Sequence, residues 1–396
     1  MERVEIGLER LASDRIDLIR GRRIGLVVNH SSYTPEMVHA VDWLRGCGAD
    51  VAVLFGPEHG LWGTHQDMEA VGSHAGYAWG LPLYSLYGHG AETLSPPPAA
   101  LTGLDALVFD IQDIGARYYT FIYTLRYCMI ACAEAGIPLV VCDRPNPLNG
   151  RDIEGNLVQP GFFSFVGDVP LCNRHGLTVG ELARHFNESI DLELEVVACR
   201  GYRRSQAYDE TGLAFVPTSP NMPTLETAWV YPGMCLLEGT NLSEGRGTTT
   251  PFLLFGAPYV EPFALRAALL EDPDASSALA GLVLRPCYFR PMFQKWAGAL
   301  CGGLSLHLRE RDAVRSFAFA LHLIATLRRL YPDDFDWRRE PYEFVSDRLA
   351  IDLLCGTDAV RLAIEAGRRT PEILATMVDD QQRFDAIRRA VALYPE

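Results

Sequence analysis

Four apolar runs in the first half of the chain are short, bounded, and each followed at once by polar side chains. Arg23-Ile24-Gly25-Leu26-Val27-Val28 leads into Asn29-His30, and Asp50-Val51-Ala52-Val53-Leu54-Phe55 into Gly56-Pro57-Glu58-His59. Asp105-Ala106-Leu107-Val108-Phe109 leads into Asp110, and Ile137-Pro138-Leu139-Val140-Val141-Cys142 into Asp143-Arg144. Continuous runs of this length predict strands buried on both faces. Pro57 cannot donate to a ladder, so the second strand ends before it. Helical patterns separate the strands. Residues 7–20 carry Leu8, Leu11, Ile16 and Leu18 on one face. Thr34 as N-cap and Pro35 at the first helical position open a helix that runs to Gly46 or Gly48. Another spans 120–135 and stops at Gly136. The capping-box spacing of Thr178 and Glu181 opens one to about Ser189. Residues 192–199 form a further strand. The alternation predicts an α/β fold: a Rossmann-like, doubly wound, mostly parallel sheet.

The pattern changes in the second half. Pro217, Pro220 and Pro223 mark a stiff connection, which divides the chain into a Rossmann-like domain, 1–220, and a smaller α+β domain, 221–396. The latter shows short strands near 281–285 and 303–308 and helices near 312–330, 357–368 and 371–390. Residues 61–103 and 148–176 read as irregular; a loop as long as the first is usually functional or a lid.

Composition narrows the function. The chain has 396 residues, 48% hydrophobic and 21% charged, with a net charge of −15. That is globular, and too long for one ordinary core. The negative charge argues against a nucleic-acid partner and against an anionic membrane surface. The ten cysteines contain no CxxC pair, which reads as buried thiols in a reducing compartment. No apolar leader segment opens the chain and no apolar run reaches 18 residues, so a cytoplasmic protein is expected. Oligomeric state is left open.

In open α/β sheets ligands bind past the carboxyl ends of the strands. Asn29, Glu58, His59, Asp110, Asp113, Asp143 and Arg144 all fall there. No GxGxxG follows the first strand and no GxxxxGK[ST] occurs, so no nucleotide cofactor is expected. Two carboxyls across a cleft suit glycoside hydrolysis: one protonates the departing oxygen, and the other attacks the sugar carbon or activates water. Glu58 is the first candidate for the acid, because a carboxyl in a partly closed cleft has a raised pKa. Glu154 and Asp113 lead for the second role, with Asp143, Glu238 and Glu244 as competitors. His59, His175, Asp110 and Asp113 are the alternative as metal ligands, but no HExxH or regular spacing supports them, and no metal is expected. No GxSxG elbow points to a serine nucleophile. A non-catalytic sugar-binding module is the remaining alternative.

Several long strings resemble the exo-β-N-acetylmuramidase family of NamZ type. They are Phe55-Gly56-Pro57-Glu58-His59-Gly60, Phe109-Asp110-Ile111-Gln112-Asp113-Ile114-Gly115-Ala116-Arg117-Tyr118-Tyr119-Thr120, and Asp143-Arg144-Pro145-Asn146-Pro147. Arg174-His175-Gly176-Leu177-Thr178-Val179-Gly180-Glu181-Leu182 and Leu237-Glu238-Gly239-Thr240-Asn241-Leu242-Ser243-Glu244-Gly245-Arg246-Gly247-Thr248-Thr249 belong to the same pattern, which spreads over residues 7–396 and includes Gly356-Thr357-Asp358 and the carboxyl-terminal helix. The resemblance implies two domains with a cleft between them. It implies release of N-acetylmuramic acid from the non-reducing end of peptidoglycan fragments, with Glu58 as the leading catalytic residue. A cytoplasmic recycling role on imported disaccharides is the matching expectation. Muramic acid carries a lactyl carboxylate, for which a bidentate arginine is the best partner. Arg117, Arg144, Arg174 and Arg246 are the candidates. Tyr118 and Tyr119 are candidates to stack on a sugar face. The substrate's own N-acetyl group is a further possible nucleophile.

Overall fold

The computed structural model describes residues 3–71, 74–75 and 79–396. Its larger sheet contains β1 (Arg23–Val28), β2 (Asp50–Gly56), β3 (His74–Ala75), β4 (Pro82–Ser85), β5 (Ala106–Asp110), β6 (Leu139–Cys142) and β7 (Leu194–Val197). The order is β3-β4-β2-β1-β5-β6-β7. All neighbours are parallel except the short edge pair β3 and β4. The apolar runs split between two faces, as a two-sided burial requires. Val27, Phe55, Leu107 and Phe109 join one core, which contains Leu125 and Met129 of helix Phe121–Ala135 and Leu182 of helix Val179–Ile190. Ile24, Leu26, Val28 and Val108 face the other, with Leu8 and Leu11 of helix Gly7–Ser13 and Val41 and Leu44 of helix Ala40–Gly46. Helices therefore cover both faces.

A second, antiparallel sheet contains β8 (Leu254–Ala257), β9 (Leu282–Phe289) and β10 (Cys301–Leu308), in the order β8-β10-β9. Helices Leu225–Met234 and Ser316–Leu330 pack beside it, and their apolar residues continue the core that contains Phe109. The end of the chain returns to the larger sheet, where the Tyr394 hydroxyl donates to Asp143.

The helix predicted over 7–20 ends at Ser13, with only a 3-10 turn at Ile16–Leu18 after it, and three further elements differ from the sequence expectation. The helix predicted from Thr34 begins at Ala40, with His39 as its N-cap. Thr34 closes a tight loop instead: its N–H donates to the Val38 carbonyl at 2.9 Å, and its carbonyl accepts from Met37 at 2.9 Å. That pairing uses the groups a helix would need. Second, residues 82–85 are not irregular; they form β4, parallel to β2. Third, the long helix predicted over 371–390 breaks into Thr370–Ala375 and Val378–Ala390. Helix Leu225–Met234, which contains Pro232, and β8 were not foreseen. No helix among the described residues is long and apolar enough to cross a membrane.

Candidate active site

Strand β2 delivers Glu58 to the carboxyl edge of the larger sheet. The chain stops pairing after Gly56, and His59 then adopts a left-handed φ of 69°. For a residue with a Cβ that conformation is strained, and such strain concentrates at functional sites. Glu58 is 5% exposed. Its two carboxylate oxygens accept from different segments. The Thr120 hydroxyl, at the start of helix Phe121–Ala135, donates to Oε2 at 2.6 Å, and the Met68 N–H donates to Oε1 at 3.3 Å.

A narrow cavity of about 30 Å³ opens beside Glu58. Both halves of the chain wall it. The first half contributes His59, Asp67 and Tyr118 to Phe121; the second contributes Tyr231, Glu238, Arg246, Tyr342 and Glu343. Besides Glu58 three carboxyls line this cavity: Asp67 and Glu238, both held by Arg246, and Glu343. Glu343 and Phe344 have left-handed φ values of 44° and 67°, so two strained residues in a row aim Glu343 inward. The Tyr87 hydroxyl donates to Glu343 Oε2 at 3.0 Å. Burial, followed by the charge of Glu58, holds the Glu343 pKa well above the usual carboxylate range. Two nearby carboxyls that cannot both ionise easily are the arrangement that separates an acid from its partner.

The opposite wall is organised by Arg246. Its Nη2 donates to Glu238 Oε1 at 2.7 Å, Nη1 lies 3.1 Å from Asp67, and Nε lies 3.3 Å from Glu244. Its guanidinium also stacks 5.1 Å from the Phe252 ring. Tyr342 donates to the other oxygen of Glu238 at 2.7 Å. Arg246 is the one arginine or lysine against the cavity among the described residues.

Models for the N- and C-terminal domains of the exo-β-N-acetylmuramidase NamZ match residues 24–226 and 229–394. The chain belongs to the NamZ family. Peptidoglycan β-N-acetylmuramidase NamZ of Bacillus subtilis (strain 168) is 41% identical to it over 395 residues, 99% of this chain and 92% of that protein. Two crystal structures of DUF1343 family proteins from Bacteroides fragilis NCTC 9343 share the architecture. One superposes with a TM-score of 0.86 at 30% identity, covering 99% of both chains. The other gives 0.77 at 29% identity, covering 100% of both. Like its NamZ relatives the chain is a glycosidase.

The NamZ fold does not bring all the sequence-predicted residues to one place. Glu58, His59, Tyr118, Tyr119, Glu238 and Arg246 meet at the cavity. Glu244 lies behind Arg246, held also by Lys295 Nζ at 2.8 Å. The others do not line it. Glu154 is buried against Arg174 at 3.2 Å and accepts the Phe317 N–H at 3.1 Å. Asp113 accepts the Gly115 N–H at 2.7 Å and sits 3.3 Å from the His175 ring. Asp110 forms a bidentate pair with Arg144 at 2.7 and 2.8 Å. Asp143 accepts from Thr178 at 2.8 Å and from the Gly180 N–H at 2.7 Å. Asn29 accepts the Ser31 N–H at 2.8 Å and shapes the turn after β1. Arg117 donates to three carbonyls, of Asn156, Leu171 and Leu354, at 2.6–2.7 Å. These groups are paired with protein rather than facing a ligand, so of the candidates for the second carboxyl Glu154 and Asp113 lie elsewhere, Glu238 lines the cavity with Glu58, and Glu343 joins them there. The four candidate arginines all have protein acceptors, and only Arg246 touches the cavity. Tyr118 and Tyr119 present hydroxyls to Pro232 and Thr218, and their rings pack edge-on to Tyr231 at 5.8 and 5.7 Å. Among the described residues no group of three His, Cys, Asp or Glu side chains is placed to hold a metal ion.

Glu343 carries no signal in the sequence. It follows Arg338-Arg339-Glu340-Pro341-Tyr342 without periodicity or motif. Only its backbone conformation and its distant partner Tyr87 bring it to Glu58.

Proposed function

We propose that the chain removes N-acetylmuramic acid from the non-reducing ends of peptidoglycan fragments, with Glu58 and Glu343 as its carboxyl pair. The observation that carries the reading is the cavity these two acids share. Residues 1–220 supply Glu58, and residues 221–396 close the cleft over it with Glu238, Arg246 and Glu343. The family, and the Bacillus subtilis relative's being a peptidoglycan β-N-acetylmuramidase, support the substrate.

The roles follow from hydrogen bonding. Glu58 receives two donors, which suits a carboxylate acting as nucleophile, base or electrostatic stabiliser. Glu343 is pushed towards its protonated form by burial and by the charge of Glu58. It therefore donates its proton to the glycosidic oxygen as the bond to the anomeric carbon breaks. Water supplies the hydroxyl at that carbon, and its remaining proton restores Glu343. The expectation that Glu58 is the acid is thus revised in favour of its partner. Arg246 is the group that meets the lactyl carboxylate, exchanging one of its three acids for it.

Action in the cytoplasm on imported disaccharides belongs to the same reading. All ten cysteines are free and eight are buried, which a reducing compartment suits. The test is a paired assay of the wild-type chain on a chromogenic N-acetylmuramide and the matching N-acetylglucosaminide from pH 5 to 8. Cleavage of the muramide, at least tenfold faster than the glucosaminide, is expected. Turnover of neither would remove the proposed activity.

A further inference from the structure

A second, larger void adjoins the cavity. It measures about 730 Å³ and shares Asp67 and Glu238 with it. The size is within the usual range for small-molecule sites, roughly 300–1,000 Å³, whereas the Glu58 cavity is far below it. Asp67 and Met68 stand between the two spaces: Met68 donates to Glu58 on one side and its sulfur meets Arg338 at 3.7 Å on the other.

The outer wall of this groove is the turn joining β9 to β10. Gln294 and Trp296 both have left-handed φ values, 61° and 60°. The turn is pinned rather than loose. Met292 N–H donates to the Gly247 carbonyl at 2.9 Å, and Lys295 Nζ to the carbonyls of Leu237 and Thr240 at 2.8 and 3.1 Å. Trp296 Nε1 donates to the Asn241 carbonyl at 2.6 Å. A Cβ on Gly247 would come within 2.8 Å of the Met292 and Phe293 nitrogens, so this close approach requires glycine. The result is an indole held in one orientation with 37% of the residue exposed to the groove. A strained backbone that fixes a half-exposed aromatic is a binding surface rather than core packing.

Charge selects the ligand. Five carboxylates line the groove, those of Asp67, Glu238, Glu244, Asp336 and Glu340, against three cations. Those cations are engaged: Lys295 by Glu244, Arg339 by Asp336, and Arg338 over the Tyr342 ring at 5.1 Å. The acids are engaged in turn, Asp67, Glu238 and Glu244 by Arg246, Asp336 by Arg339 and Glu340 by Arg338, so the lining is charge-paired and offers carboxylate oxygens to the hydroxyl and amide donors of an uncharged ligand.

We infer that this groove is the leaving-side subsite of the enzyme, and that it takes an uncharged N-acetylated amino sugar stacked on Trp296. The inference rests on the muramidase reading for the identity of the sugar on the Glu58 side. It assigns Trp296 as a specificity-determining residue that never touches the reacting atoms.

The test compares two substrates in wild type, Trp296→Ala and Trp296→Phe. One is a disaccharide of N-acetylmuramic acid linked to N-acetylglucosamine. The other is N-acetylmuramyl fluoride, whose leaving group is a single atom and cannot reach the indole. For Trp296→Ala, kcat/KM on the disaccharide should fall at least tenfold more than on the fluoride, chiefly through KM, and Trp296→Phe should recover most of it. Equal losses on both substrates overturn the assignment. A calorimetric titration with N-acetylglucosamine reads the groove without turnover: Kd should rise at least fivefold in Trp296→Ala. An unchanged Kd also overturns it. Failure of wild type on both substrates would sink the muramidase reading, while the titration still decides the groove.

Discussion

Two buried polar regions sit at the same edge of the larger sheet, and they are built in opposite ways. Beyond β5 and β6, Asp110, Arg144 and Asp143 satisfy one another and the adjoining backbone. None of these three residues takes a left-handed φ, and Asp110 and Arg144 are in direct contact at 2.7 Å. Beyond β2, Glu58 and Glu343 face a common space, and the residues around them take left-handed conformations at His59, Glu343 and Phe344. The first region is a completed network that fixes the loops. The second keeps two carboxyls incompletely neutralised. A polar residue at the end of a parallel strand therefore indicates position. Its partners decide whether it supports the fold or does chemistry.

Disrupting the sealed region should give the largest effect. Arg144→Met leaves Asp110 charged, buried and unpaired, so unfolding free energy should fall by about 3–5 kcal/mol. Replacing Asp110 as well should recover much of it. Urea denaturation of the single and double variants checks this; a cost below about 1 kcal/mol would mean that the pair is not the completed network described.

His30, at the end of β1, lies between the two regions. Burial, followed by the charge of His59, lowers its pKa from 6.5 to about 4. Its neutral form is favoured in the fold, so its contribution is complete above pH 6.5 and is lost as pH falls through 4. The loss should be about 3 kcal/mol. Measured between pH 7 and pH 4, His30→Gln should lose less stability than wild type by that order. Parallel pH dependence of the two proteins would contradict it.

The open region is sharpened by Glu343→Gln. It should lower kcat on the disaccharide by about 100-fold, the lower end of what a positioned proton donor contributes. It should also remove the alkaline limb of the pH profile, because Glu343 is the group that must stay protonated as pH rises. N-acetylmuramyl fluoride, whose leaving group needs little protonation, should suffer much less. Equal loss on both substrates would assign Glu343 a different role.

Much of this contrast was legible in the sequence, and the rest has physical reasons for being hidden. Strands β1, β2, β5 and β6 are continuous apolar runs, so their ends, and hence Glu58, can be placed directly. β4 is only Pro82 to Ser85, with exposed and half-buried residues, too short and mixed to stand out. Helix Leu225–Met234 is apolar on all sides and contains Pro232, so it shows no amphipathic stripe. The roles of Glu154, Asp113, Asp110 and Arg174 depend on partners far away in the chain, which local pattern does not reveal. Glu343 reaches Glu58 through a strained turn and a hydroxyl 256 residues distant. Arg246 was visible among its glycines together with Glu238 and Glu244, but not Asp67, which reaches it from the other half of the chain.

The most direct test of the paired-carboxyl account is the turnover of Glu58→Gln on the N-acetylmuramide at saturating substrate, with thermal unfolding followed on the same sample. The account predicts a fall in kcat of about 10³-fold or more with Tm unchanged to within a few degrees. A well-folded Glu58→Gln that turns over within tenfold of wild type would contradict it.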